Sequence, residues 1–90
     1  MRHRTHLVIR GRVQGVSFRA WAAREAERHG VDGWIRNRED GCVEAVLAGD
    51  ADAVREVVTA CRAGPRLAVV TDLIELEIAD DPGSGFHIRH

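Results

Sequence analysis

An α+β sandwich, with two helices packed on one mainly antiparallel sheet, is the fold class this sequence predicts, and three observations carry it. Two segments of helical period, one from about Phe18 to His29 and one opened by Asp50, alternate with short β-branched runs. Asp40-Gly41 joins two of those runs as a hairpin. Ninety residues suffice for one simple core, so residues 1–90 are expected to form a single domain.

The elements follow in order. Thr5 to Arg10 reads as a strand with Leu7 and Ile9 on one face and Val8 on the other, so a central strand covered partly on both sides is expected. A loop, Gly11 to Ser17, leads into the first helix, and Ser17 is its expected N-cap through the side-chain hydroxyl. Phe18, Ala22 and Ala26 form the inward stripe with Trp21 beside them, and Gly30 is the expected C′ residue. Val31 to Asn37 is the second strand, Arg38-Glu39-Asp40-Gly41 the turn, and Cys42 to Ala48 the third strand with Val43, Ala45 and Leu47 on one face.

Asp50 then caps a helix whose buried stripe is Val54, Val57, Val58 and Cys61, and Gly64-Pro65 ends it. The extended segment from Leu67 to about Ala79 changes parity, with Leu67 and Val69 at odd positions but Ile74, Leu76 and Ile78 at even ones. A bulge near Thr71-Asp72 is therefore expected. Asp80 to Gly85 is a loop, and Phe86 and Ile88 alternate with His87 and Arg89 in a short closing strand. The order βαββαβ with a terminal β fits a ferredoxin-like α/β sandwich. That fold hosts many functions and decides none.

Composition narrows the classes. Thirteen arginines, no lysine and fourteen acidic residues give a net charge of −1, which argues against a broad nucleic-acid-binding surface. The strands also lack a run of stacking aromatics, with two Trp, two Phe and no Tyr. No apolar run approaches bilayer-spanning length, and Met1-Arg2-His3-Arg4 leads directly into a strand, so a cytoplasmic protein is expected. Cys42 and Cys61 sit in apolar patterns without ligand spacing and read as buried free thiols, with a disulfide as the alternative that sequence leaves open. The five histidines are scattered, with His6 and His87 expected as possible cross-strand neighbours, and no closed metal-ligand set emerges. The acidic residues read as solubilising charge on helices, turns and a strand's solvent face.

What remains is the loop, Arg19 and Asn37. A strand-to-helix loop with two glycines can turn its backbone N–H groups toward an anion, alongside the free N–H groups of the helix start. Arg19 lies in the first helical turn, where the dipole disfavours a cation, so an anionic partner is indicated. Asn37 shares a face with Ile35 and needs a partner, either the turn backbone or a ligand.

Gly11-Arg12-Val13-Gln14-Gly15-Val16-Ser17-Phe18-Arg19 closely resembles the first signature of acylphosphatases, and Gly33-Trp34-Ile35-Arg36-Asn37 with Asp40-Gly41-Cys42-Val43-Glu44 resembles their second. Gly64-Pro65 and Phe86-His87-Ile88 follow in the same order, so the resemblance runs from about His6 to Arg89. It implies a metal-independent hydrolase of small-molecule acyl phosphates; no cofactor is expected, a monomer is expected, and composition and run length give no expectation of a nucleic-acid or membrane partner. Arg19 is then the phosphate-binding arginine, Gly15, Val16, Ser17 and Phe18 supply backbone amides, and Asn37 orients the attacking water. Arg38 departs from the threonine often found after this asparagine, adding a cation that bears on substrate charge or turn geometry. The competing readings are a non-catalytic anion-binding or regulatory ferredoxin-like module and a carbamoyl phosphate-directed domain.

Overall fold

The computed structural model of the chain describes residues 2–76 and 80–90. The elements are β1 (His3–Arg12), α1 (Phe18–Arg28), β2 (Asp32–Asn37), β3 (Val43–Gly49), α2 (Ala51–Ala63), β4 (Val69–Leu76) and β5 (Phe86–Arg89). They form one five-stranded sheet in the order β4-β1-β3-β2-β5, antiparallel except where β5 runs parallel to β2. Both helices cover the same sheet face. Leu7, Ile9, Ile35, Val43, Ala45 and Leu47 from the strands meet Phe18, Ala22, Ala26, Val54, Val57 and Cys61 from the helices, all almost wholly buried.

The two central strands account for the apolar runs that alternation alone does not explain. Leu7, Val8 and Ile9 in β1 and every residue from Val43 to Ala48 in β3 are buried, including those on the helix-free face. The end of α1 and the start of α2 follow their sequence chemistry. Gly30 N donates to Glu27 O and Val31 N to Ala26 O, the paired bonds of a glycine-terminated helix. The Asp50 carboxylate accepts from the Asp52 and Ala53 N–H groups at the start of α2. The β2–β3 turn is a three-residue loop: Gly41 N donates to Arg38 O, Arg38 N donates to Cys42 O, and Gly41 takes a positive φ.

The parity change in β4 is the expected bulge. Arg10 pairs with Asp72 but Gly11 with Val70, so Thr71 is the extra residue. Val70 and Leu73 thereby both pack against the core. Leu67 is not in the strand as expected; it lies in the turn after Pro65 and is 70 % exposed, because Ala68 N bonds back to Pro65 O and delays the start of β4. The expected position of Ile78 lies outside the described residues.

Gly11 belongs to this bulge. A Cβ there would lie 2.8 Å from Thr71 N and closer still to the Val69 carbonyl oxygen, and φ is +125°. Gly11→Ala is expected to destabilise the fold by about 2–4 kcal/mol, since both the backbone angle and the space oppose a side chain. Thermal unfolding checks this; a melting temperature equal to the parent's would remove the bulge from the account.

On the helix-free face, His6 and Glu44 meet across β1 and β3, with Nε2 and Oε2 2.7 Å apart, and Arg36 Nε donates to Glu44 Oε1 at 2.6 Å. Two sequence expectations fail here. His6 and His87 are not neighbours, because β5 docks beside β2 and leaves β3 and β2 between them. Glu44 is not a solvated charge but 8 % exposed. Burial opposes its ionisation, yet the bonds from Arg36 and His6 outweigh that cost and hold the carboxyl below the ordinary value of 4.5. Asp32, which accepts from Gly85 N and pairs with Arg2, is likewise held down.

Both carboxyls have folded pKa values below their unfolded ones, so their stabilisation is complete above about pH 4.5 and is lost as pH falls through the folded values. Melting temperature is therefore expected to decline below about pH 4.5, and Glu44→Gln to make that decline shallower. An equally steep decline in Glu44→Gln would locate the acid sensitivity elsewhere.

Candidate active site

The loop between β1 and α1 is anchored from inside. Val13 and Phe18 are buried and Val16 packs against the core, whereas Gly15 and Ser17 are exposed. Alternating inward side chains leave the loop backbone as its outer surface. Gly15 has φ +74°, and Ser17 has φ 61° and ψ 27°, the one described non-glycine residue with positive φ. In that left-handed conformation the Ser17 hydroxyl makes no capping bond, contrary to the sequence expectation, because N-capping needs an extended backbone that aims the hydroxyl at the following N–H groups.

The strain at Ser17, about 1–2 kcal/mol for a non-glycine residue in this region, fixes the loop's course into the helix. Among the described residues, none accepts a hydrogen bond from the backbone N–H of Gly15, Val16 or Ser17. These donors and the first N–H groups of α1 form one concave array of partial positive charge.

Arg19, one residue into α1, lies beside this array. Its Nη1 donates to Arg89 O at 3.0 Å and to His90 Nδ1 at 3.3 Å, leaving its other N–H groups unpartnered among the described residues. The end of β5 thus seats the guanidinium, and β5 is itself held by the Arg89 side chain, whose guanidinium carbon lies 4.4 Å from the Trp34 ring centroid. Asn37 ends β2 opposite Val43 and faces the same hollow. Its amide takes no part in the turn: Asp40 Oδ1 accepts from Cys42 N, and Gln14 Nε2 donates to Arg38 O and Cys42 O at 2.8 and 2.9 Å.

Gly15, Ser17, Phe18, Arg19, Asn37 and His90 therefore border a single hollow of about 420 Å³, with Val13, Ala20 and Ile88 as its remaining wall. Val16 stands behind it, against the core. The added cation at position 38 does not border this hollow. Arg38 Nη2 pairs with Asp40 Oδ2 at 2.9 Å, so the departure from threonine reinforces the turn.

Two participants escaped the sequence reading. His90 looked like a chain-end residue, but the parallel pairing of β5 with β2, Arg36 opposite Arg89, carries it to Asn37. Gln14 belongs to the first motif but has no role assigned from sequence, and only the fold brings it to the hairpin. Among the described residues, no three His, Cys, Asp or Glu side chains gather as a metal-ligand set. Cys42 and Cys61 are free and buried, and burial pushes the Cys61 thiol up to about 12, well away from nucleophilic use. No described helix is long and apolar enough to cross a membrane.

Comparison with known proteins bears directly on this arrangement. The acylphosphatase family profile matches residues 5–88. An acylphosphatase of Azorhizobium caulinodans is 50% identical over 90 residues, covering 98% of this chain and 96% of its own length. One from Nitrobacter winogradskyi is 56% identical over 73 residues, covering 81% and 74% respectively. The crystal structure of acylphosphatase from Bacillus subtilis superposes with a TM-score of 0.91 at 34% identity, with each chain covered in full. Two helices on a sheet of this order, a loop of unpartnered backbone amides flanked by an arginine, and this level of identity have one joint explanation: the chain belongs to the acylphosphatase family.

Proposed function

We propose that this acylphosphatase hydrolyses small acyl phosphates with Arg19 and the amides of Gly15, Val16, Ser17 and Phe18 holding the phosphoryl group while Asn37 aims a water at phosphorus. The observation that carries the reading is the convergence of Arg19, the unpartnered loop amides and the uncommitted Asn37 amide on one hollow.

Little further machinery is needed. An acyl phosphate is a mixed anhydride whose leaving carboxylate has a pKa of about 4–5, so it departs unprotonated and no general acid is required. The transition state is loose, with charge on the peripheral phosphoryl oxygens, where fixed donors act most strongly. Arg19 offers a planar cation able to contact two oxygens, and the loop amides need not reorganise. Water adds to phosphorus, the bond from phosphorus to the acyl oxygen breaks with its electron pair leaving on the carboxylate, and the water's proton passes to a phosphoryl oxygen. Nothing in this sequence of events calls on a metal ion.

His90 is the one imidazole at the hollow, and its Nδ1 already accepts from Arg19. A pH–rate profile that loses its shape in His90→Gln would reassign the proton to that ring. The direct test of the function is release of phosphate from acetyl phosphate with a chelator present. Chelator-insensitive turnover supports the proposal, and tight phosphate binding without turnover would make the domain an anion-binding module.

A further inference from the structure

We infer that Gln14 is a positioning residue which sets the distance between the two halves of the site. The inference rests on the hydrolase reading above, because it concerns how phosphate cradle and water-aiming amide are held together. Each half is fixed on its own side. The loop is anchored by Val13 and Phe18, both buried to within 1 %. The turn after Asn37 is closed by its own bonds, Gly41 N to Arg38 O, Arg38 N to Cys42 O and Cys42 N to Asp40 Oδ1, with the Arg38–Asp40 pair on top.

Neither set of bonds fixes one half against the other. Gln14 does: it leaves the loop one residue before Gly15, and its amide nitrogen donates to both Arg38 O and Cys42 O, the carbonyls that bracket the turn. Among the described residues it is the only side-chain hydrogen bond between the loop and the hairpin. Both N–H groups are used at 2.8 and 2.9 Å and the side chain is half-buried, so the strut is short and directional. Arg38 follows Asn37 directly in the chain, so a shift of the hairpin carries the Asn37 amide with it. A misplacement on the order of 1 Å in a near-attack geometry costs about a hundredfold in rate at worst, while an amide cradle bound to its own anchors is untouched.

This predicts a split that a merely stabilising residue does not produce. Gln14→Met keeps the chain length and removes both donors; Gln14→Glu keeps the shape and replaces the donors with acceptors facing two carbonyls. In each, kcat for acetyl phosphate is expected to fall about ten- to thirtyfold, with inhibition by inorganic phosphate within about twofold of the parent. In the Asn37→Ala background, Gln14→Met should add less than about a threefold further loss, since the group it positions is gone.

All assays run well below the melting temperature of each variant, and Gln14→Glu stands in if Gln14→Met does not fold. A kcat within about twofold of the parent overturns the inference, as does phosphate inhibition that weakens in step with kcat, or losses that multiply in the double variant. Absence of turnover in the parent protein would instead refute the hydrolase reading itself.

Discussion

Arg19→Ala is expected to lower kcat/KM for acetyl phosphate by about a thousandfold or more, the range seen when a cation is removed from a phosphoryl-transfer transition state. Inorganic phosphate should lose its inhibition in parallel, by about tenfold or more, because in the proposed role the same guanidinium contacts the phosphoryl oxygens in ground and transition states. Arg19→Lys should recover only part of either quantity, since an ammonium cannot present two parallel N–H bonds. Stability is expected to change by less than about 0.5 kcal/mol: the side chain packs into no core, and removing a cation from the first turn of α1 relieves an unfavourable dipole interaction. A variant that unfolds as the parent does, yet is still inhibited by phosphate with the parent's constant, would show that Arg19 is held by Arg89 and His90 for some other purpose.

The features of the fold that were legible in the sequence are those set by contacts within a few residues. Asp50 and Gly30 announced helix ends because capping is local. The parity switch announced the Thr71 bulge because a strand's period is two and one extra residue inverts it. Ser17 misled the same local reasoning. Its residue type fits an N-cap, but the buried flanks Val13 and Phe18 force the loop through a left-handed turn at that position.

Glu44 misled it differently. Alternation places it on the face without helices, and a lone strand gives that face no cover but solvent. The neighbours that bury and pair it, His6 and Arg36, arrive from two other strands. His87 was misplaced for the related reason that strand order is not written in any one strand.

The site divides along the same line. Gly15 to Arg19 and Asn37 stood out as two motifs, each with its own chemical oddity: a cation where the dipole disfavours one, and an amide at the end of an apolar face. Gly11 and Gly15 looked alike as cradle glycines, yet Gly11 is committed to close packing against β4 and only Gly15 faces the hollow. What could not be read was the coupling between the motifs. Gln14 meets carbonyls 24 and 28 residues away, and Arg19 meets acceptors 70 and 71 residues away. Such contacts depend on the sheet order β3-β2-β5 placing the hairpin and the chain end on either side of the loop.

Asn37→Ala separates binding from chemistry. If Asn37 holds the water in line with the breaking bond, its removal leaves the cradle intact and disorders only the nucleophile. The expected result is a loss of about a hundredfold to a thousandfold in kcat with phosphate inhibition within about twofold of the parent. The other role open to an asparagine at this position, tying down the turn, predicts lower stability and little change in kcat. In the structure that role is filled by Asp40 and Gln14. The melting temperature should therefore stay near the parent's while kcat collapses, and Asn37→Asp should not restore turnover, since its carboxylate repels the phosphoryl oxygens and cannot donate. A folded Asn37→Ala protein with near-parental kcat would sink the assignment, and would leave the water to be aimed by Ser17 or His90, the remaining uncharged polar side chains bordering the hollow.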